Sequence, residues 1–521
     1  MKRAISIILA ITLAVTACLA QSLPKREFRG AWLHIVGNQE IKNMTTDEIQ
    51  QWFIRSLDTL QAVGCNAVIF QVRPQADAFY ESELEPWTRF LTGEQGVAPT
   101  PYWDPLAFMV DECHKRGMEL HAWLNPYRVT SNDNEKLHPD HLYFKNPDIF
   151  KRYGKQLYFD PGEPESIEHT VKVIADIVTR YDVDAIHFDD YFYPYPVKYE
   201  EFHDDASFAK YAADQGFEYW QKGDWRRHNT EELMRQINDT IKSIKPWIRF
   251  GISPFGIHRN KKDTPDGSGS DTNGLSNYEE LFADIPAWAE KGYIDYVVPQ
   301  LYWKIGFAVA DYEVLINWWN DTRKYDAHLY IGQSISSFNT PDLSEPQKTQ
   351  IERKMQLVRD LEKVGGNVWW PGWSLTDPAE YAKKPQKDDR HGRPGRGRDE
   401  KPFSMRDSLE HIYQKDLALI PAYTHLDSIA PEGVKSIKAS KGGITWSVNP
   451  TDDVLQQPHF FVVYRFPAKG EIDLSKSECI VKITRDKSYK PQGKRRHSYK
   501  YVVTVVDKCW NESEASKAVI W

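Results

Sequence analysis

The residues His187-Phe188-Asp189-Asp190-Tyr191-Phe192-Tyr193-Pro194 follow a mostly apolar run from Val183 to Ile186. The run reads as a buried strand whose end carries two carboxylates, an imidazole and a cluster of aromatic rings. Carboxylates supply acid/base or nucleophilic chemistry, and flat rings stack on sugar faces. Together at one strand end they point to a carbohydrate-active site. Successive side chains of a strand point to opposite faces, so Ala185, His187 and Asp189 share one face and Ile186 and Phe188 the other. The apolar pair should meet a layer of helices, leaving His187 and Asp189 directed inward. Asp190 falls on the opposite parity unless the strand has already ended. Either Asp189 or Asp190 is therefore expected to act as the essential acid/base, the other orienting substrate or tuning its partner's pKa.

Such a site needs elements to hold it. Strands are expected at Phe28 to Val36, Ala67 to Val72, Glu119 to Leu124, Val183 to Phe188, Arg249 to Ser253, Tyr296 to Leu301, His328 to Gln333 and Asn367 to Trp370. Amphipathic segments around 46–63, 104–116, 164–180, 229–244, 278–290, 311–323 and 346–363 lie between them, and 404–414 follows the last. Eight strands alternating with eight helices predict an α/β fold of the (β/α)8 (TIM) barrel type, spanning 28–420. A doubly wound open sheet is the rival, and the count of eight disfavours it.

Barrel active sites sit at the C-terminal ends of the strands. His34 lies there after the first strand, Gln71, Arg73 and Asp77 after the second, and Trp123, Asn125, Tyr127 and Arg128 after the third. The fourth contributes His187, Asp189, Asp190 and Tyr191, and the fifth Ser253, Pro254 and Phe255. Gln300, Tyr302 and Trp303 end the sixth, and Trp369, Trp370 and Trp373 the eighth.

The rest of the chain bounds the setting. At 521 residues it is too long for one ordinary core, and its formal charge of −8 argues against nucleic acid as the main partner. Lys2, Arg3 and the apolar run Ile5 to Val15 form a signal peptide, too short for a standard membrane span. Val15-Thr16-Ala17-Cys18 resembles a lipobox, which predicts removal of 1–17, lipidation of Cys18, a short tether over 18–27 and attachment to a membrane of the cell envelope. Cleavage after Ala20 without a lipid is the alternative. The segment 376–403, rich in Lys, Arg, Asp, Gly and Pro, reads as a charged loop.

From 421 to 521 only strand signals remain, at Gly433 to Ile437, Gly443 to Val448, Phe460 to Phe466, Ile480 to Thr484 and Tyr499 to Val506. They predict a small β-sandwich, and Tyr499 to Asp507 with Asn511-Glu512-Ser513 resembles the end of a fibronectin type III module. Cys65 and Cys113 are expected as buried free thiols, while a pairing of Cys479 with Cys509 stays open. No CxxC or His/Cys cluster suggests zinc, and no metal or cofactor is expected.

Seven motifs then occur in order: Phe28-Arg29-Gly30-Ala31-Trp32; Phe70-Gln71-Val72-Arg73-Pro74 with Asp77-Ala78-Phe79-Tyr80; Ala122-Trp123-Leu124-Asn125-Pro126-Tyr127-Arg128; Asp160-Pro161-Gly162; His187 to Pro194; Gly251-Ile252-Ser253-Pro254-Phe255-Gly256; and Pro299-Gln300-Leu301-Tyr302-Trp303. Over residues 26–375 the chain resembles glycosyl-hydrolase-like family 10 of bacterial lipoproteins. The resemblance implies a (β/α)8 glycosidase and, in a characterised branch, a peptidoglycan glycan stripped of its stem peptides. Hydrolysis of an imported polysaccharide, or glycan binding without catalysis, are the competing functions.

Within that frame a second carboxylate is wanted, about 5–5.5 Å from the first for retention or further for inversion. Asp77, Asp160 and Glu163 are candidates from loops. Alternatively a substrate N-acetyl group supplies the nucleophile, held by Tyr302 or Asn125. Arg73 either braces its strand against Asp77 or Asp189 or binds an anionic lactyl or carboxylate group. His187 is either a hydrogen-bonded core residue or a contact to sugar or catalytic Asp. Trp303, Trp370 and Trp373 are candidates for stacking on a pyranose, and Asn125 and Gln300 for bonding hydroxyl or acetamide groups.

Overall fold

The computed structural model describes residues 22–38, 40–335, 345–376, 404–493 and 498–521, with the backbone alone for 345–349. The signal segment, Cys18 and all but the first residue of the 376–403 loop lie outside the described residues.

Eight parallel strands close into a barrel: β1 (Phe28–Leu33), β2 (Ala67–Arg73), β3 (Glu119–Leu124), β4 (Ala185–Phe188), β5 (Arg249–Ile252), β6 (Tyr296–Val297), β7 (His328–Ser334) and β8 (Val364–Trp370). Each pairs with its neighbours in sequence, and β1 closes the ring on β8. β6 is shorter than its apolar run because Pro299 has no N–H for the ladder; single bridges at Gln300 carry the edge onward. Helices such as Thr46–Ala62 and Pro164–Arg180 cover the outside. The first starts at a reciprocal cap between Thr45 and Glu48, and the second places Pro164 where the helix has no use for an N–H.

The strand parity holds through β4. Ile186 and Phe188 pack in the layer between barrel and helices, while Ala185 joins Phe28, Trp32 and Tyr296 inside the barrel. Tyr296 fills the axis so closely that a Cβ on Gly251 would stand 1.9 Å from its ring. Two elements inside long connections gave no strong sequence signal: the hairpin Phe150–Tyr153/Gln156–Phe159 after β3, and the helix Asp205–Tyr211 after β4. The hairpin takes up the Tyr127–Thr130 segment as an extra edge, with Phe159 N–H donating to Tyr127 O at 2.8 Å and Val129 N–H to Leu157 O at 2.9 Å.

After residue 420 the chain forms a three-stranded and a four-stranded antiparallel sheet. Ile444, Trp446, Phe461, Val463 and Val503 pack between them. The other face of the larger sheet, with Phe460, Val462 and Val506, belongs to the same apolar cluster as the barrel interior. This explains why Phe460 to Tyr464 is apolar at every position: both faces are buried. Polar contacts lock the seam at the N-terminal end of the barrel. Trp510 Nε1 donates to Glu119, Arg249 donates to Lys508 O at 2.8 Å, and Asp184 lies 2.8 Å from His114 Nε2 and 3.1 Å from His459 Nε2. Cys65, Cys113, Cys479 and Cys509 are free thiols. Among the described residues no helix is long and apolar enough to cross a membrane.

Candidate active site

A cavity of about 450 Å³ opens at the C-terminal mouth of the barrel. Trp32 and His34 reach it from β1, Gln71 from β2, and Trp123 and Arg128 from β3 and its following loop. Asp189, Asp190 and Tyr191 come from the end of β4, Ser253 follows β5, Gln300 and Tyr302 follow β6, and Trp370 ends β8. Trp370 stands edge-to-face with Trp32 and Trp123, ring centres 6.5 and 6.1 Å away, so three indoles build one wall. The rest of the lining is mostly polar, with His34, Gln71, Arg128, Asp189, Asp190, Ser253 and Gln300.

Asp189 and Asp190 are each only 4% exposed. β4 ends at Phe188, so alternation has lapsed at the second acid and both carboxylates enter the same cavity. Among the described residues they are the only carboxylates lining it. Burial pushes Asp189 up to about 7, against the pull of Arg128, while Asp190 adds a further push. Asn125 Nδ2 donates to its two oxygens at 3.2 and 3.4 Å. Asp190 is also raised by burial, but the Tyr195 hydroxyl donates to it and opposes the shift, as does Gln300. Gln300 is itself aimed by its Nε2, which donates to Ser253 O at 3.0 Å. The two neighbours therefore sit in different surroundings, one in a mainly desolvating pocket and one under a phenol.

Several expected contacts belong elsewhere. His187 is fully buried on the axis: Trp32 Nε1 donates to its Nε2 at 3.1 Å, and its Nδ1 is 3.0 Å from the Tyr296 hydroxyl. Both nitrogens are used inside the barrel, and burial holds its pKa far below the ordinary value. It is a core residue, not a sugar contact. Arg73 is likewise structural: it pairs bidentately with Glu85, at 2.5 and 2.8 Å, and donates to Asn125 O at 2.6 Å. Asp77 is enclosed, accepting from Gln95 Nε2 at 3.0 Å and from Gln75 N–H at 3.2 Å. Tyr127 is buried in the apolar layer outside the barrel. Trp303 packs edge-on against Phe255 with centres 5.3 Å apart. Trp373 stacks on Trp52 at 4.3 Å and donates to His34 O at 2.8 Å, so it shapes the rim from behind. The loop acids fare no better as a second catalytic group: Asp160 accepts from Ser207 at 2.7 Å and Glu163 from Tyr211 at 2.9 Å, and neither lines the cavity.

His34, Gln71, Tyr191, Gln300, Tyr302 and Trp370 do line it, and Asn125 stands directly behind Asp189. Gln71 also fixes the loop after β1, its Oε1 accepting from Ile35 and Val36 N–H at 2.8 and 3.0 Å. Trp123, Arg128 and Ser253, noted from sequence only as strand-end residues, are cavity residues as well. Tyr195 was missed altogether; its aromatic position two residues past Tyr193, in the same run, was the available signal.

The sequence matches the family described as glycosyl hydrolase-like 10 over residues 27–350. It is 38% identical to glycosyl hydrolase YngK of Bacillus subtilis (strain 168) over 532 residues, covering 98% of this chain and 97% of that protein. It is 36% identical to glycosyl hydrolase DigH of Escherichia coli (strain K12) over 385 residues, covering 69% of this chain and 84% of that protein. Among solved structures, the glycoside hydrolase domain of PgaB (BpsB) from Bordetella bronchiseptica aligns at a TM-score of 0.44 and 10% identity, covering 68% of this chain and 97% of that one. The motif series, the closed barrel and these two relatives agree: the chain belongs to the glycosyl hydrolase-like 10 family.

Proposed function

We propose that this protein hydrolyses glycosidic bonds in N-acetylated peptidoglycan glycan strands, with Asp189 as acid/base and the substrate's own acetamide as nucleophile. One observation carries the reading. The cavity's only carboxylates, among the described residues, are chain neighbours at a single strand end. Both leave that strand end into one cavity, which favours their approaching a sugar from the same side, whereas a two-carboxylate mechanism flanks the bond.

In the proposed reaction the Asp189 proton passes to the glycosidic oxygen as the C1–O bond breaks. The acetamide oxygen closes on C1 to give an oxazolinium ion. Asp189, now a carboxylate, takes a proton from the water that attacks C1, reopening the ring and restoring the acid. Asp190, held by Tyr195 and Gln300, faces the acetamide N–H and balances its growing positive charge. The indole wall and Tyr191 supply stacking faces. The test is release of reducing ends from such strands together with formation of product from a synthetic N-acetylglucosaminide. An N-thioacetyl substrate that is cleaved at the same rate by a different route, or a full-rate Asp189→Asn enzyme, would overturn the mechanism.

We further place the enzyme in the cell envelope, tethered through a lipid on Cys18 to the outer membrane and facing the periplasm, on the strength of its N-terminal motif. Loss of radiolabelled fatty acid incorporation in Cys18→Ala tests the anchor. The C-terminal sheets read as a fibronectin type III-like module, whose docking on the barrel floor suits a rigid spacer.

A further inference from the structure

Five arginines of the described chain are buried: Arg29, Arg73, Arg128, Arg226 and Arg249. Four of them meet a carboxylate. Arg29 pairs with Glu27 at 2.7 Å, Arg73 with Glu85 at 2.5 Å and Arg226 with Asp204 at 2.7 Å, and Arg249 pairs with Glu119. Such pairing is the rule, because an uncompensated buried charge is costly. Arg128 is the exception. It is 7% exposed, has no carboxylate within ion-pair distance among the described residues, and lines the cavity. Among the described residues its one side-chain hydrogen bond runs to Pro74 O, at 3.2 Å, and its buried Nε meets no acceptor.

The guanidinium is nevertheless firmly placed. The backbone N–H of Arg128 donates to Asn125 Oδ1 at 2.8 Å, the residue forms a backbone bridge with Tyr158 of the hairpin, and its guanidinium Cζ lies 4.9 Å from the Tyr191 ring centre. A planar cation without an ion-pair partner, in a cavity shared with three indoles and two acids, suits a planar anion carried on a sugar.

We propose that Arg128 determines specificity by pairing with a free carboxylate on the bound saccharide. Resting on the function proposed above, that group is the lactyl carboxylate of an N-acetylated wall strand bearing no peptide. Where the carboxylate is capped as an amide, the charge is gone and Arg128 remains unpaired in the complex. Asp189 and Asp190 need not serve as its partners, which leaves them available for chemistry.

The test uses the full chain and one strand preparation in two forms, with lactyl carboxylates free or converted to methylamides. Wild-type kcat/KM should be about 10- to 100-fold higher on the free acid, the worth of a charge-assisted hydrogen bond. In Arg128→Gln that ratio should collapse toward one, and Arg128→Lys should recover part of it. Each protein is measured at its own pH optimum, since Arg128 also bears on Asp189. An equal wild-type rate on both forms overturns the proposal. So does an Arg128→Gln enzyme that keeps the ratio while its pH profile moves, which would make Arg128 a positioning residue for Asp189. Should the wild type cleave neither form, the functional reading fails, and calorimetric affinities for the same two preparations decide the role of Arg128: tighter binding of the free acid, lost in Arg128→Gln, supports it, and equal binding refutes it.

Discussion

Asn125 holds Asp189 in one orientation and one sense. Its Oδ1 accepts from the backbone N–H groups of Tyr127 and Arg128 at 3.3 and 2.8 Å, so its Nδ2 must be the group that meets the carboxylate at 3.2 and 3.4 Å. A donor to a carboxylate favours its ionised form. Asn125→Ala should therefore raise the Asp189 pKa by up to about one unit, a hydrogen bond's worth of about 1 kcal/mol. The alkaline limb of the kcat/KM profile should move upward, while kcat falls about 10-fold because the acid loses its brace. An unmoved limb would separate Asn125 from the ionisation of Asp189.

Asp189 itself links activity to stability. Burial lifts its carboxyl to about 7 in the folded protein, above its ordinary value of 3.8. The folded state therefore binds more protons between those values, and stability falls as pH rises from about 4 to 7. As a general acid Asp189 should make kcat/KM decline through about pH 7. Asp189→Asn should lose about 10²- to 10⁴-fold in turnover and yet be the more stable protein at pH 8, by a few kcal/mol at most, since each unit is worth about 1.4 kcal/mol. The gap should narrow at pH 5. Urea denaturation at the two pH values checks this, and a gap independent of pH would show that the Asp189 proton is not its source.

How far such a site can be read from sequence depends on the range of the forces that build it. The barrel was legible because apolar runs and amphipathic segments are local signals, and the inward direction of His187 followed from Ile186 and Phe188 facing the helices. Parity puts Asp190 on the opposite face only while the strand continues, and alternation stops where the ladder stops, after Phe188. Arg73 was ambiguous because its partner Glu85 lies 12 residues away in a loop. Nothing local distinguishes Trp370, which faces the cavity, from Trp373, which stacks on Trp52. Arg128 is seated against a hairpin of two four-residue strands, too short to stand out in a long connection.

Arg73 gives a prediction of the opposite kind. Its guanidinium is wholly buried, Glu85 is nearly so, and His169 Nε2 lies 2.9 Å from the same carboxylate. The pair holds Glu85 well below the ordinary carboxylate range despite the cost of its burial. Removing one partner strands the other's charge, at about 3–5 kcal/mol. Arg73→Met should thus lower the denaturation midpoint sharply, while the folded fraction keeps the wild-type KM. A raised KM in a protein of undiminished stability would return Arg73 to the substrate.

Trp510 tests whether the two parts of the molecule unfold as one. Its ring is fully buried in the apolar cluster that also contains Phe28, Tyr296 and Tyr330 of the barrel, and its Nε1 donates to Glu119 at the start of β3. Glu119 is further bound by Arg249 and lies 2.9 Å from His121 Nε2; His121 Nδ1 in turn reaches the Tyr296 hydroxyl at 2.8 Å. From there the chain of contacts climbs through His187 to Trp32 at the cavity wall. Trp510→Phe keeps one six-membered ring but removes the pyrrole half of the indole, so a buried carboxylate loses a donor, at about 1–3 kcal/mol, and the cluster gains a small cavity that adds to the loss. Because the cluster is continuous across the seam, calorimetry should show a single transition moved to lower temperature, with barrel and C-terminal sheets melting together. Two resolved transitions, the barrel's at its wild-type temperature, would show that the floor of the barrel stands without the domain beneath it.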